Sequence, residues 1–254
     1  MARQKGLIKL TGTIGGITFY KSKHDGYLAR EKGGIEADRI ANDPNFARTR
    51  ENNSEFANLI QAGKILRDTF RVLAKDASDT RVSARMTKTF SRIKNMDTIN
   101  VRGERSVSEG IKTEDGKELL KGFDFNKKSL MKQVLFLPFE SVENGTIRAE
   151  QFTPLNDMRI PEGCTHVIMQ AGIASIDFKE GMSDLVVSEK QRIGIAEEIE
   201  DFELTVAQRP DELGTDLYFI SIQFIQELNG VDYPFKNNQY NVLNLYKVEE
   251  TPED

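Results

Sequence analysis

The chain has 254 residues, of which 38% are hydrophobic and 30% charged, and its formal net charge is -5. Fifteen phenylalanines exclude wholesale disorder, and a single cysteine excludes an intramolecular disulfide. The sequence holds no apolar run of signal-peptide or membrane-span length, so we expect a cytoplasmic or particle-associated protein that does not insert into a membrane.

Residues 1–40 are predicted to form an N-terminal β-hairpin arm. Apolar residues alternate at Ile17 and Phe19, and Asp25-Gly26 stands where a hairpin turn requires positive φ. A lone two-stranded ribbon is marginal in water, and the glycines on both sides of it would let it swing away from its own body. We therefore expect a neighbouring subunit to cover its apolar side chains, and the predicted subunit-contact residues are Ile17, Phe19, Tyr20, Tyr27 and Leu28.

Residues 41–102 are predicted to form a helical module. Asn42 or Asp43, followed by Pro44, marks a helix start, whereas the polar run RTRENNSE (48–55) is expected to project or fray. Ser78 or Asp79 can cap a second helix, and the short link favours an antiparallel pair. Helical spacing predicts two buried faces, formed by Phe56, Leu59, Ile60, Leu66, Phe70 and Leu73 and by Val82, Met86, Phe90 and Ile93.

Residues 103–128 are polar and contain glycine, which predicts a linker. Seven or more β-rich segments follow in residues 129–249, separated by turn signals at Asn144-Gly145, Asn229-Gly230 and Asn237-Asn238. This pattern predicts an antiparallel, Ig-like β-sandwich, with residues 250–254 as a frayed tail. The expected fold class is therefore α+β.

Charge is divided unevenly along the chain. Residues 1–120 hold 23 basic and 16 acidic side chains, whereas residues 121–254 hold 12 and 24. Such asymmetry points to a polyanion partner, an acidic tail for solubility, or complementary surfaces that meet when copies associate.

Patterns that carry enzymatic chemistry are weak here. Gly12, Gly15 and Gly16 lack a following G-K-[ST] and helix start, so we interpret them as turns rather than a phosphate loop. Cys164 and His166 would offer two metal ligands without a third, and Cys164 is expected to be buried. No G-x-S-x-G occurs, and we expect no catalytic residues, metal or cofactor.

A basic stripe is predicted on the second helix. Steps of four, three and four residues place Arg81, Arg85, Lys88 and Arg92 on one face. Such a stripe can contact a polyanion such as nucleic acid, but a solvated helix face or an acidic surface of a second copy explains it equally well.

The run GTIGGITFYKSKHDGYLAREKGG, continued by ANDPNFARTRENNSEF and INVRGERSV, resembles an uncharacterised protein family of Bacteroidota genomes. The similarity covers roughly residues 1–110, and the family carries no established activity, so it implies no site residues.

Three functions remain. The leading prediction is a non-enzymatic, self-assembling structural protein, as a subunit of a homo-oligomer, filament, shell or phage-like particle. The alternative is a nucleic-acid-associated protein that uses the basic stripe. A β-sandwich ligand-binding module is the third, and no aromatic platform supports it.

Overall fold

A computed structural model describes residues 2–235 and 239–251. The chain divides into two compact units, one ending at Arg50 and the other beginning at Glu51. The predicted turn at Asn237-Asn238 lies outside the described residues, as do residues 252–254 of the predicted tail. Glu250 still belongs to the last strand and Thr251 is buried, so the first part of that tail belongs to the fold.

The smaller unit contains the predicted hairpin as part of a four-stranded antiparallel sheet in the order β1-β4-β3-β2. Gly26 has φ 75° and turns β3 into β4, as the sequence predicts. Asp43 accepts a hydrogen bond from the Asn45 N–H and caps a 3-10 helix that opens on Pro44. The elements of the smaller unit are β1 (Ala2–Arg3), β2 (Gly12–Ile14), β3 (Ile17–Ser22), β4 (Gly26–Glu31), α1 (Ala37–Asn42) and the 3-10 helix Pro44–Phe46.

The remaining helices are α2 (Ala47–Thr69), α3 (Arg71–Ala77), α4 (Val82–Lys94), α5 (Val107–Gly110), α6 (Glu114–Leu120), α7 (Met131–Val134) and α8 (Pro154–Asp157). A 3-10 turn covers Glu143–Gly145. Helices α2 and α4 are antiparallel, as predicted, because Glu55 contacts Lys94 whereas Gly63, further along α2, lies against Phe90 and Met86.

The strands of the larger unit form two antiparallel sheets. The large sheet has the order β10-β8-β12-β14-β5, with β9 on β8 and β13 on β12, and the small sheet has the order β11-β7-β6. The strands are β5 (Phe123–Asp124), β6 (Glu140–Ser141), β7 (Ile147–Ala149), β8 (His166–Asp177), β9 (Met182–Val187), β10 (Gln191–Gly194), β11 (Phe202–Leu204), β12 (Thr215–Leu228), β13 (Val231–Pro234) and β14 (Val242–Glu250).

Helices and the small sheet cover opposite faces of the large sheet. On one face, Phe70, which lies between α2 and α3, meets Phe219 of β12 edge to face, with ring centroids 5.1 Å apart. On the other face, Ile147 and Phe202 of the small sheet share a buried cluster with Ile222 of β12. The fold is therefore α+β with antiparallel sheets. The predicted two-layer, Ig-like sandwich accounts for the packing of the small sheet on the large sheet, but not for the helices on the opposite face of the large sheet.

Three sequence expectations differ from the structure. Residues 103–128 are not an open linker, because α5, α6 and β5 pack there and Phe125 is buried. The RTRENNSE run does not fray, since it lies within α2 and Glu55 is 1% exposed. Phe56 and Ile60, predicted to be buried, are exposed because the core contacts the adjacent side of α2 through Leu59 and Leu66.

Candidate functional site: the N-terminal sheet

The register of the N-terminal sheet sorts its side chains onto two faces. Ile14 lies opposite Ile17, and Phe19 lies between Gly12 and Ala29. Because directly opposed residues of an antiparallel pair point to the same side, one face carries Ile14, Ile17, Phe19 and Tyr27. We call these four residues the apolar face.

The apolar face is largely open to solvent. Ile14 is 62% exposed and Ile17 46% exposed, while Phe19 and Tyr27 are half-buried. Ile14 and Ile17 flank the Gly15-Gly16 turn, where Gly15 has φ 56°. These glycines therefore form a hairpin turn, as the sequence predicts, and the β2–β3 hairpin places two branched apolar side chains at its tip.

Of the five predicted contact residues, only three share this face. Tyr20 and Leu28 are paired with each other on the opposite face. Leu28 is 6% exposed and is therefore not available for a subunit contact. The prediction for Leu28 assumed a lone hairpin, whereas β1 pairs with β4 at Leu28.

The segment before β2 adds further exposed apolar groups that sequence reasoning missed. The Gln4 side chain accepts a hydrogen bond from the Leu10 N–H and donates to the carbonyls of Leu10 and Leu28. These contacts fold residues 4–10 back on themselves and leave Leu7 and Ile8 exposed. The run GLIKL was the available signal, since it sets three large aliphatic residues beside basic ones.

The smaller unit has almost no apolar core of its own. Within residues 2–50, Leu28 is the only buried hydrophobic side chain, whereas Leu7, Ile8, Leu10, Ile14, Ile17 and Ile35 are exposed. Burying a large aliphatic side chain is worth about 1.5–3 kcal/mol. A surface of this kind on a small sheet is typical of a protein-protein contact.

Basic groups surround the aromatic residues of this unit. Lys21 lies 5.6 Å from the ring centre of Tyr27, and Arg30 lies 5.5 Å from that of Tyr20. Residues 1–50 hold ten basic and five acidic side chains, for a net charge of +5. The apolar face is thus part of a positively charged unit.

The predicted basic stripe is only partly free. Arg85 is held by Asp79 at 2.7 Å and donates to the carbonyls of Asp124 and Phe125, which makes it a structural group. Arg81, Lys88 and Arg92 are exposed. Three of the four cations therefore remain accessible to an anionic partner.

Sequence reasoning missed a buried ionic cluster around Glu55. Glu55 accepts hydrogen bonds from Lys94, from Arg105 and from the Gly103 N–H. The Arg105 hydrogen bond is the main cause that lowers the pKa of Glu55 to about 2. The cluster joins α2, α4 and the loop after α4, and all its polar atoms are partnered, so we assign it a structural role.

The other candidate chemical residues do not form a site. Cys164 is buried, as expected, and its thiol donates to the His166 carbonyl, while burial raises the pKa of the thiol. His24 lies in the exposed β3–β4 turn. Across residues 2–235 and 239–251, no three His, Cys, Asp or Glu side chains are grouped to hold a metal ion, and no helix is long and apolar enough to cross a membrane.

Comparison with known proteins gave no match to a family model, to a curated protein or to a solved structure. The resemblance to the Bacteroidota family therefore stays a prediction.

Proposed function

We propose that this chain is a non-enzymatic structural subunit that assembles with copies of itself through the apolar face of its N-terminal sheet. The assembly would be a homo-oligomer, a filament, a shell or a phage-like particle. The observation that supports the proposal best is the composition of residues 2–50, which expose six large aliphatic side chains and bury one.

In this proposal the smaller unit is the arm and the larger unit is the rigid body that carries it. The larger unit has a buried cluster that runs from α2 through β12 to β14, and a second cluster joins its small sheet to its large sheet. Its two buried clusters contain no residue from 1–34. Assembly and folding can therefore be separated experimentally.

The test uses two hairpin tips of similar construction. Ile14 and Ile17 face each other across the Gly15-Gly16 turn, and Leu228 and Val231, each 51% exposed, face each other across the Asn229-Gly230 turn. We expect Ile14→Thr/Ile17→Thr to weaken assembly at least tenfold, because threonine keeps the β-branched shape while apolar area is lost. The measurement is native mass by light scattering over a concentration series.

The matched control is the variant Leu228→Thr/Val231→Thr, which removes similar apolar area elsewhere and should assemble normally. Deletion of residues 1–34 should leave a folded protein, judged by circular dichroism melting, that no longer assembles. An unmodified chain that is monomeric at every concentration, or a deletion that assembles normally, would contradict the proposal.

A nucleic-acid-associated role is the second candidate function. It is favoured by three exposed cations, Lys88 and Arg92 of α4 and Arg81, which directly precedes α4. Exposed cations on one side of a helix can contact a phosphate backbone. Its test is argued with the charge of the whole molecule below.

A further inference from the structure

The small sheet has an outer face on which Glu140 and Arg148 are exposed. Its lining residues come from β6, β7, β11 and α8 and from the loops beside them, and they enclose a groove of about 920 Å³. Leu137, Pro138 and Phe139 form one apolar wall. The groove lies entirely within the larger unit.

The polar lining of this groove is strongly acidic. Arg148 lies opposite both Glu140 and Glu203 in the three-stranded register, and it is paired with Glu203. No described basic side chain pairs with Glu150 or Asp201. The lining carboxylates outnumber the single guanidinium five to one, and they are Glu140, Glu150, Asp157, Asp201 and Glu203.

More negative charge adjoins the groove. The loop EEIED (197–201) ends at Asp201, and its Ile199 pairs through the backbone with Phe152, next to the groove-lining Gln151 and Thr153. Phe136 and Leu155, which neighbour lining residues in sequence, are exposed. The groove therefore combines apolar walls with a rim that repels phosphates and attracts cations.

We infer that this groove is the docking surface for the N-terminal unit of a second copy of the chain. The occupant must be basic and apolar at once, and residues 1–50 carry a net charge of +5 together with the exposed apolar face. Lys21 and Lys23 extend from β3 into the adjoining turn and are exposed, so they supply the cations for Glu150 and Asp201. The contact joins unlike surfaces, which makes it heterologous and able to propagate along a chain of subunits.

This docking presupposes the self-assembly proposed above, and the experiment separates the two. The variants Lys21→Glu/Lys23→Glu and Glu150→Lys/Asp201→Lys each place like charges in the contact, so each alone should weaken assembly about tenfold or more. Each variant keeps one intact surface. In an equimolar mixture the intact groove of the first variant meets the intact arm of the second, and the reversed arm of the first meets the reversed groove of the second. The mixture should therefore co-assemble with the two variants alternating, and the quadruple charge-swapped variant should assemble again.

The control variant is Glu180→Lys/Glu189→Lys, which reverses two exposed acidic residues in the turns on either side of β9 and should assemble normally. If Glu150→Lys/Asp201→Lys fails to fold, Glu150→Gln/Asp201→Asn takes its place and should give a smaller loss. Native mass spectrometry distinguishes the complexes.

Three outcomes would overturn the inference. Normal assembly of the groove variants, with assembly lost in Ile14→Thr/Ile17→Thr, would reject the groove but keep the proposed function. Failure of the mixture to co-assemble would reject the pairing of these two surfaces. A monomeric unmodified chain would reject both the groove and the proposed function.

Discussion

Glu55 shows how a residue in a polar run can control stability. It is 1% exposed and is held by two cations and a backbone N–H. A paired carboxylate inside a protein contributes little net energy, but removing one partner leaves an uncompensated charge. Lys94, which is itself 9% exposed, would be that charge.

We therefore expect Glu55→Gln to lower the free energy of unfolding at pH 7 by about 3 kcal/mol. The pKa of Glu55 lies near 2 in the folded chain, against an ordinary value of 4.5. Because the folded pKa is lowered, the stabilisation is complete above pH 4.5 and is lost as the pH falls from 4.5 towards 2. The stability difference between the two proteins should shrink across that window, as urea melts at a series of pH values would show.

Glu114→Gln is the control, since Glu114 is an exposed partner of Lys117 and its loss should cost less than about 1 kcal/mol. A Glu55→Gln protein that differs from the unmodified chain equally at pH 7 and pH 2.5 would contradict the assigned cause.

Among the elements, α5 and α6 are the clearest departure from the sequence interpretation. A Cβ added at Gly110 would lie 2.1 Å from the Ile93 carbonyl oxygen, and one at Gly116 would lie 2.0 Å from the Gly110 carbonyl oxygen. These glycines let α4, α5 and α6 approach closely. The same residues made the segment resemble a flexible connection.

The variant Gly110→Ala should therefore destabilise the chain by about 3 kcal/mol, because the new methyl group meets backbone that cannot move aside. Gly33→Ala is the control, since nothing lies within 4 Å of its added Cβ and its φ is not positive. Thermal melting by circular dichroism gives both values. Equal melting temperatures for Gly110→Ala and Gly33→Ala would show that residues 103–128 do not pack closely and form a linker.

Local signals in the sequence were reliable because the physics behind them is local. The turns at Gly26, Asn144-Gly145 and Asn229-Gly230 all have positive φ, which few other residues adopt. The cap at Asp43 and the buried Phe70, Met86 and Phe90 are equally as predicted.

Expectations that depend on distant parts of the chain were less reliable. Periodicity places Phe56 and Leu59 on one broad arc of α2, but only tertiary packing decides which edge of the arc is covered. Short strands such as β2 and short helices such as α7 give too little repeat to detect. In the candidate site, the alternation of apolar residues predicted that Ile17 and Phe19 share a face. The place of Ile14 on that face could not be predicted, because β2 was not recognised in the sequence.

The acidic groove could not be predicted, because its carboxylates come from three separate segments around Glu140, Glu150 and Glu203. These segments meet only when β6, β7 and β11 pair. Sequence counts showed that the second half of the chain is acidic, but not that its charge lines a concave surface.

Over the whole molecule, the two structural units carry opposite net charge. Residues 1–50 carry a net charge of +5 and residues 51–254 carry -10. Opposite charges on two compact units of every copy attract between copies, and a polyanion would compete for the basic one. Salt and nuclease therefore distinguish the two candidate functions.

For a self-assembling subunit, native mass should be unchanged by nuclease and should fall as sodium chloride rises. The Debye length shortens from about 30 Å at 0.01 M salt to about 3 Å at 1 M, so attraction between the units is screened while apolar contacts persist. We expect partial dissociation, with a dissociation constant about tenfold or more higher at 1 M.

The variant Arg81→Gln/Lys88→Gln/Arg92→Gln should assemble as the unmodified chain does, because α4 lies outside both proposed surfaces. If nuclease instead dissolves the assembly, and if this triple variant loses binding to single-stranded DNA with a flatter salt dependence, then the stripe on α4 binds nucleic acid and self-assembly depends on it.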